Sequence, residues 1–301
     1  MSIEPGTLWT AVRARTRHAL GCGALRPIEI DTRVVEQAGI PFLVRVATNL
    51  RRKDAARAEQ AESSRAAGKA VDPFQPYEED LFVTDISASH FCLLNKYNVI
   101  DHHLLIITRD DADQEELITQ EDFAALWACL AEIDGVGLYN AGKTAGASQP
   151  HKHLQLVPVP LAAVGAPIPI ERAFERIPSG SKVTRSDRLP FRHAFARLDP
   201  SHIRSPAAAA EETFRLYRAM LAAMGIEGIA AGGVIRQSAA YNLLLTRRWL
   251  LLVPRSTEYF EGISISALNF AGSMFVRNEE QLKTVEQEGP LAVLTGVGYR
   301  A

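Results

Sequence analysis

The chain has 301 residues, 47% of them hydrophobic, and can therefore bury a large core in one big domain or in two fused units. Its 33 basic and 35 acidic side chains leave a formal net charge of -2, which argues against a general nucleic-acid or membrane-surface binder, because both classes usually carry a basic excess. We therefore expect no nucleic-acid partner and no membrane association, and no segment of the sequence is long and apolar enough to span a bilayer.

The first 80 residues predict one helix, two strands and a basic segment. The helix is expected over residues 5–20, where apolar side chains recur at helical spacing. The strands are expected at 32–35 and 42–47. Residues 50–80 are rich in alanine, lysine and arginine and nearly lack large apolar side chains, which predicts a mobile surface flap or a partly ordered helix.

The middle of the chain predicts a helix set among short strands. Thr119 and Asp122 have the spacing of a capping box, and the apolar stripe after them predicts a helix that ends at Gly135. Strands are expected on both sides of this helix, at 81–86, 91–94, 104–108, 136–139 and 151–159. A polar loop at 140–150 separates the last two.

A second unit is expected after a proline-rich connection. A helix opens at Ser205, and residues 241–245 and 249–253 form a hairpin. Strands joined by hairpins, with helices outside them, predict an α+β fold in which an antiparallel sheet has flanking helices. We therefore divide the chain into an N-terminal unit at 1–190 and a C-terminal unit at 191–301.

Polar side chains alternate along the strand predicted at 151–159. Residues two apart on a strand face the same way, so His151, His153 and Gln155 point to one face, with about 7 Å between neighbours. A neutral imidazole is a good nucleophile near pH 7, and it becomes a good leaving group once it carries a phosphorus-centred group. This pattern favours attack on phosphorus in two displacements with two different acceptors.

A loop of small residues precedes the histidines. Gly142, Gly146 and Ala147 let backbone amides approach a phosphate closely, and the Ser148 hydroxyl adds a donor. The amide of Gln155 can hold a phosphate oxygen but cannot act as an acid or base, so it activates water poorly. The combination therefore favours transfer to a chosen acceptor over hydrolysis.

Two other interpretations of the histidine pair are open on spacing alone. Histidines at i and i+2 on a strand can form a metal pair, although no carboxylate or cysteine accompanies them on the same strand. They can also be half-buried histidines with satisfied hydrogen bonds. The small-residue loop in front of them makes the phosphate site the stronger hypothesis.

The cysteine pattern limits the redox chemistry. Cys22, Cys92 and Cys129 are far apart, and none forms a CxxC pair, so neither a disulfide framework nor a cysteine zinc site is expected. The first residues lack the basic start and apolar run of a signal peptide. We therefore expect a cytoplasmic protein in a reducing compartment.

The sequence GASQPHKHLQ at 146–155 resembles the active-site signature of the ATP adenylyltransferases, also called diadenosine tetraphosphate phosphorylases. These belong to the superfamily of the histidine-triad proteins and the galactose-1-phosphate uridylyltransferases. Further segments resemble the same family in the same order, and they lie at 72–78, 94–98, 103–108, 241–249, 251–255 and 269–272. The resemblance covers nearly the whole chain.

The resemblance implies two histidine-triad-like halves in one chain and a phosphorolytic adenylyltransferase that acts as a monomer. A dinucleoside polyphosphate is expected to give ATP and an adenylyl–His153 intermediate, from which phosphate then takes the adenylyl group to form ADP. The reverse reaction makes diadenosine tetraphosphate. Gln155 at the third position of the motif, where a histidine triad would have histidine, argues against the simple hydrolases.

The resemblance also implies the substrate contacts. The loop at 146–149 is expected to line the transferred phosphate, and Asn140 to contact this phosphate or the ribose. Lys53 and Arg277 are expected to bind the polyphosphate, and the competing interpretation is that both are solvated surface charges. Asn95 is expected to contact the nucleoside, and the competing interpretation is a turn residue at the end of its strand. The implied set is Lys53, Asn95, Asn140, Gly146, Ala147, Ser148, Gln149, Ser266 and Arg277, beside the catalytic set His151, His153 and Gln155.

The expected ligands are diadenosine tetraphosphate, ATP, ADP and phosphate. A divalent cation, with Mg²⁺ as the first choice, is expected to screen the polyphosphate, and we expect no tightly bound metal held by the protein. Two rival functions are a hexose-1-phosphate nucleotidylyltransferase and a non-catalytic dinucleotide-binding stress protein. The absent cysteine pair disfavours the first, and the intact histidine–glutamine set disfavours the second.

Overall fold

The computed structural model describes residues 3–47, 72–161, 166–178, 180 and 182–301. Its α-helices are α1 (Leu8–Cys22), α2 (Gln120–Glu132), α3 (Pro206–Met224), α4 (Ala267–Phe270), α5 (Glu279–Glu288) and α6 (Pro290–Gly296). The helices expected at 5–20, after Thr119 and after Ser205 are confirmed as α1, α2 and α3. The capping box is also present, because the Thr119 side chain accepts from the Asp122 amide and the Asp122 carboxylate accepts from the Thr119 amide.

The strands follow the predicted hairpins closely. They are β1 (Ile30–Gln37), β2 (Ile40–Ala47), β3 (Phe82–Asp85), β4 (His90–Leu94), β5 (Leu104–Thr108), β6 (Gly135–Ala141), β7 (His153–Pro158), β8 (Ala194–Arg197), β9 (Gly228–Ala231), β10 (Val234–Gln237), β11 (Tyr241–Leu245), β12 (Trp249–Pro254), β13 (Tyr259–Phe260), β14 (Ile263–Ser264) and β15 (Ser273–Val276). Six short strands lie outside the predicted set: β8, β9, β10 and β15 have four residues each, and β13 and β14 have two each.

One antiparallel sheet of eight strands organises the molecule, in the order β3-β4-β5-β7-β6-β11-β12-β8. The N-terminal unit supplies the first five strands and the C-terminal unit the other three. The two units meet where β6 pairs with β11, with Tyr139 opposite Leu243. The sheet therefore runs across the division that we predicted at residue 190.

The two faces of this sheet are both buried. Leu243 and Leu245 pack with the α1–α3 side, whereas Leu244 between them packs on the opposite side with β2, β15 and α4–α6. This alternation follows from the period of two in a strand. On β7, Leu154 and Leu156 face the α1–α3 side, which leaves His153 and Gln155 for the other side.

The strand predicted at 151–159 begins two residues late. His151 makes an isolated bridge with Asp113, and the amide of Lys152 donates to the Ala112 carbonyl at 2.8 Å. His151 and Lys152 therefore pair with the loop after β5, and the pairing of β7 with β5 itself begins at His153. Much of the flap predicted at 50–80 lies outside the described residues, and its last part forms turns and a 3₁₀ helix at Glu79–Leu81. Within the described ranges, no helix meets the length and hydropathy that a membrane span requires.

Candidate active site

A cleft of about 320 Å³ opens beside the start of β7, and we call it the histidine cleft. Leucine and aromatic side chains form most of its wall, and polar groups collect at one end. Its lining residues are Pro73, Phe74, Glu78, Leu81, Leu93, Leu94, Asn95, Lys96, Tyr97, Leu105, Ser148, Gln149, His153 and Gln155. An apolar slot with a few convergent polar groups is the usual form of a small-molecule site.

His153 presents a neutral ring to this cleft. Its Nδ1 lies 2.8 Å from the backbone carbonyl of His151, and since a carbonyl only accepts, Nδ1 carries the proton. The lone pair is therefore on Nε2. Burial lowers the pKa of His153 to about 4, so the ring stays neutral near pH 7. A neutral imidazole with a defined tautomer is suited to nucleophilic attack.

Gln114 fixes the backbone that carries this ring. Its Oε1 accepts from the His153 amide at 2.8 Å, and its Nε2 donates to the His153 carbonyl at 3.2 Å. The same Nε2 donates to the Asn140 carbonyl at 2.9 Å. Gln114 is almost fully buried, so it makes both sets of bonds in a place from which water is excluded. One side chain thus sets the distance between the nucleophile and β6.

His103 orients the amide of Gln155. Its Nε2 lies 2.9 Å from Gln155 Oε1, and its Nδ1 lies 3.3 Å from the Asn95 amide nitrogen. Because Gln155 Oε1 can only accept, His103 donates from Nε2 and accepts at Nδ1. The amide group of Gln155 is therefore turned so that its NH₂ group remains for a ligand. Asn95, the predicted nucleoside contact, lines the cleft and also accepts from the Tyr97 amide in the turn after β4.

His151 lies on the same side as His153 but outside the histidine cleft. The ring of Phe74 contacts both imidazoles edge-on, at centroid distances of 5.7 Å and 5.4 Å. The His151 ring lines a neighbouring depression with Asp72, whose carboxylate lies 2.7 Å from Nδ1. His153 and Gln155 thus share the histidine cleft, whereas His151, the third residue of the expected catalytic set, lies beside it.

Lys152 points to the opposite side and into the interior. Its ammonium lies 2.7 Å from Asp122 Oδ2 and donates to the Leu117 carbonyl at 2.9 Å. His90 contacts the other carboxylate oxygen of Asp122 at 2.9 Å. Burial opposes ionisation of Asp122, but hydrogen bonds from His90 and the charge of Lys152 outweigh it and lower its pKa to about 2. This buried network fastens the histidine segment to the first turn of α2.

The predicted phosphate loop turns tightly at Gly146. Its φ is +88°, and a Cβ there would lie 2.6 Å from the Ile265 carbonyl, so only glycine fits. The amides of Gly146 and Ala147 donate to the Lys143 and Gly142 carbonyls and so shape the loop itself. Ser148 and Gln149, the next two residues, are the ones that line the histidine cleft.

Asn140 is buried behind this loop. Its Oδ1 accepts from the Ala267 amide at 2.7 Å and from the Asn242 side chain at 2.9 Å. Asn242 Oδ1 in turn accepts from Arg255, whose guanidinium also donates to the Ala145 carbonyl at 3.3 Å and to the Ile265 carbonyl at 2.9 Å. Burial lowers the pKa of Arg255 to about 9. Through these bonds the C-terminal unit supports the loop, and a ligand contact of Asn140 stays a prediction.

The other predicted contacts are dispersed. Ser266 caps α4, where its amide donates to the Asn269 side chain at 2.8 Å, and it packs against Gly146. Arg277 is exposed just before α5, and it is not among the residues that line the histidine cleft. Lys53 lies outside the described residues. The substrate roles assigned to these three residues remain predictions.

Sequence reasoning missed several residues that this site uses. Their common property is that each acts on a partner far away in sequence, so no local spacing reveals it. The resemblance to the adenylyltransferase family was a signal for all of them except Gln114, because the others lie in segments that resemble this family. The residues missed are Asp72, Phe74, His103, Gln114, Asn242 and Arg255.

These features define a class of site. A neutral buried imidazole at the polar end of an apolar cleft, with an oriented amide two residues later, is arranged for nucleophilic attack on the phosphorus of a nucleotide.

The comparisons with known proteins give the family. The Ap4A phosphorylase N-terminal domain family matches residues 1–176, and the ATP adenylyltransferase C-terminal domain family matches residues 187–300. Since the first match spans more than half of the chain, the chain belongs to the Ap4A phosphorylase family.

Similar proteins support the same assignment. Diadenosine 5',5'''-P1,P4-tetraphosphate phosphorylase 2 of Saccharomyces cerevisiae is 24% identical over 248 residues, which cover 73% of this chain and 73% of that protein. The crystal structure of yeast Ap4A phosphorylase Apa2 in complex with AMP matches 100% of this chain and 99% of that chain, with a TM-score of 0.78 at 22% identity. Its complex with Ap4A has a TM-score of 0.76 at 21% identity, with the same coverage of both chains. The predicted fold class, family and nucleotidyltransferase class are confirmed.

Proposed function

We propose that this enzyme cleaves diadenosine tetraphosphate with inorganic phosphate to give ATP and ADP, through an adenylyl–His153 intermediate. One observation carries the proposal. The His153 ring is held neutral by burial, and its Nδ1 proton is bound to the His151 carbonyl, so the lone pair on Nε2 is available at the polar end of the histidine cleft. The family assignment supplies the substrate class.

The first displacement joins His153 to the adenylyl group. Nε2 attacks the phosphorus next to one adenosine, a P–N bond forms, and the bond from that phosphorus to the next bridging oxygen breaks. ATP leaves with that oxygen and its electron pair. The ring becomes positively charged, and its Nδ1–H bond to the His151 carbonyl at 2.8 Å strengthens as this charge develops.

The second displacement returns the ring to its starting state. An oxygen of inorganic phosphate attacks the same phosphorus, the P–N bond breaks, and ADP forms while Nε2 regains its lone pair. Gln155 donates its NH₂ group to the transferring phosphate in both steps, since His103 holds its oxygen at 2.9 Å. An amide offers no base for water, whereas phosphate is already an anionic nucleophile, and this favours phosphorolysis over hydrolysis.

The cleft accounts for the nucleotide end of the substrate. Phe74, Leu93 and Leu105 offer apolar surface for a base, and Ser148 and Gln149 lie with His153 at the phosphate end. The same arrangement accepts ATP and ADP in the reverse reaction. The assignment of Asn140, Gly146 and Ala147 to this phosphate stays part of the proposal, because their described bonds lie within the protein.

A divalent cation, Mg²⁺ or a similar ion, is proposed to accompany the polyphosphate. Lys96 is the only lysine or arginine among the described residues that line the histidine cleft, and it pairs with Glu78 at 2.5 Å. A substrate with several negative charges therefore needs further positive charge. The ion would bind through the phosphates and would need no protein cage, so removing divalent ions with a chelator is expected to slow turnover while leaving the fold intact.

We also propose a monomeric, cytoplasmic enzyme. Support for the compartment comes from the cysteines, because Cys92 and Cys129 are buried as free thiols and Cys22 is exposed. Support for the monomer comes from the catalytic segment and the residues that fix it, which all belong to one chain. Gel filtration with light scattering tests the oligomeric state.

The decisive experiment incubates the protein with diadenosine tetraphosphate in the presence and absence of phosphate. Phosphate-dependent release of ATP and ADP in equal amounts supports the proposal. With radiolabelled substrate and no phosphate, the wild-type protein should also retain a labelled adenylyl group. His153→Ala should lose both the label and the exchange of labelled phosphate into ADP, whereas the surface variant Glu286→Ala should keep both.

Three results would point elsewhere. Release of AMP without dependence on phosphate would make the protein a hydrolase. Exchange of phosphate by His153→Ala at the wild-type rate would remove the covalent mechanism. Binding of the dinucleotide without any turnover would favour the stress-protein alternative, and preference for a nucleoside diphosphate hexose would favour the hexose-1-phosphate nucleotidylyltransferases.

A further inference from the structure

Asp72 divides its carboxylate between two parts of the site. Oδ1 accepts from the Phe74 amide at 2.8 Å, and Oδ2 lies 2.7 Å from Nδ1 of His151. The first bond shapes the turn that carries Pro73 and Phe74 into the wall of the histidine cleft. The second bond joins this turn to the residue whose carbonyl holds the His153 ring. One short side chain thus links the cleft wall to the support of the nucleophile.

Both ring nitrogens of His151 have partners. While Nδ1 faces the Asp72 carboxylate, Nε2 lies 2.8 Å from the Thr108 carbonyl. The Thr108 hydroxyl also lies 3.1 Å from Nε2, so Asp72 and Thr108 hold the ring from both sides. The ring is a fixed point between Asp72 and the end of β5, and its own backbone carbonyl accepts from His153.

Phe74 completes the link. Its side chain is 6% exposed and lies edge-on against both imidazole rings. If the turn moved, this ring would leave the cleft wall and uncover His153 at the same time. Removing the Asp72 carboxylate would leave both the Phe74 amide and Nδ1 of the buried His151 ring without their partner.

We infer that Asp72 is a positioning residue that places the aromatic wall of the histidine cleft over His153. The expected effect of Asp72 on turnover rests on the proposed function, whereas its expected effect on the cleft wall does not. Asparagine at this position keeps one acceptor oxygen where aspartate has two, so it can retain one of the two contacts. Alanine can retain neither.

The test compares Asp72→Ala, Asp72→Asn and the surface control Glu286→Ala by hydrogen exchange, AMP binding and phosphorolysis. Asp72→Ala should speed amide exchange in the 72–78 segment, with the exchange of α3 unchanged, and weaken AMP binding by roughly 10- to 100-fold. Asp72→Asn should recover at least half of this loss on a logarithmic scale. Glu286→Ala should match the wild type in every measurement.

The outcomes separate this inference from the proposed function. If the wild type shows no phosphorolysis, the proposed function fails, while exchange and AMP binding still decide the role of Asp72. Wild-type exchange and AMP binding in Asp72→Ala would overturn the inference. So would an Asp72→Asn variant as impaired as Asp72→Ala, or faster exchange in Asp72→Ala that extends to α3, because general destabilisation would then explain the loss.

A different observation concerns the surface of α1. His18 and Cys22 lie one helical turn apart, so their side chains share a face, and Asp80 approaches them from the 3₁₀ helix at Glu79–Leu81. The three possible ligand atoms all lie within 4.8 Å of one another. His18 Nε2 and Asp80 Oδ1 are 2.7 Å apart. An imidazole, a thiol and a carboxylate thus converge.

From this geometry we propose that His18, Cys22 and Asp80 bind one zinc-like divalent ion. Nitrogen, sulfur and oxygen donors of this kind are the usual ligands of Zn²⁺, and three protein ligands leave one position for water. About half of each of the His18 and Asp80 side chains is exposed, so an ion can enter and keep that water. Cys22 would bind as a thiolate, so binding would release its proton to solvent. Since Leu81 lines the histidine cleft, the ion would also tie α1 to the cleft wall.

Cobalt(II) titration of the whole chain tests this site. One equivalent should produce a thiolate-to-metal charge-transfer band that Zn²⁺ displaces. Cys22→Ser should abolish the band, Asp80→Asn should weaken cobalt binding by about tenfold or more, and Glu79→Gln, which removes the neighbouring carboxylate, should change neither. Absence of the band in the wild type, or its survival in Cys22→Ser, would overturn the proposal.

Discussion

The protonation state of His153 sets the range of pH in which it can attack. A free imidazole has a pKa of about 6.5, whereas burial lowers that of His153 to about 4. The neutral nucleophile should therefore persist as pH falls, and be lost only as pH passes through about 4. We expect single-turnover formation of the adenylyl–enzyme, measured without phosphate, to stay nearly constant between pH 7 and about 5. An acid limb centred near 6.5 in that step would contradict the assignment.

His103 offers a second prediction about a single side chain. His103→Ala removes the donor that holds Gln155 Oε1, so the amide can rotate and present oxygen to the phosphate. We expect kcat to fall by about 10- to 100-fold. Complete removal of a transition-state donor lowers kcat by up to about 1000-fold, and here the donor is only misplaced. His102→Ala is the matched control, since His102 faces Thr16 and Trp9 instead. Equal kcat values for the two variants would remove the orienting role.

The loop before β7 shows how a turn can limit the site. Gly146 and Gly225 both have positive φ. A Cβ at Gly146 would lie 2.6 Å from the Ile265 carbonyl, whereas a Cβ at Gly225 would meet no atom within 4 Å. Gly225→Ala should therefore cost about 1 kcal/mol, the backbone term alone. Gly146→Ala should cost more and lower kcat/KM for the dinucleotide, because the loop must move away from Ser266. Denaturant unfolding and steady-state kinetics measure both, and equal stability losses would show that the close approach is unimportant.

At the same scale, regular elements were predictable where local pattern decides them. The capping box at Thr119 and the period of two after Pro150 lie within a few residues of the structures they specify. The partners that make the site work lie much further away. Gln114 is 39 residues from His153, and Asp72 is 79 residues from His151. Short spacing thus located the nucleophile, while the contacts that set its tautomer and its cleft depend on the folded sheet.

For the whole molecule, the eight-stranded sheet couples the two sequence units. Strands β11, β12 and β8 come from the C-terminal unit, and β6 would become an unpaired edge without them. Buried Arg255 and Asn242 would also be missing from behind the phosphate loop. We therefore expect a fragment of residues 1–190 to lack cooperative thermal unfolding and to aggregate. A sigmoidal transition and a monomeric elution volume for this fragment would show that the unit folds alone.

The three consecutive residues His151, Lys152 and His153 serve opposite sides of the sheet. Lys152 enters the buried network with Asp122, while its neighbours hold the cleft side. A slip of one residue in the pairing of this segment would exchange the two sides, sending an imidazole into the interior and an ammonium into the cleft. The pairing register of these three residues therefore specifies the nucleophile as strictly as their identity does.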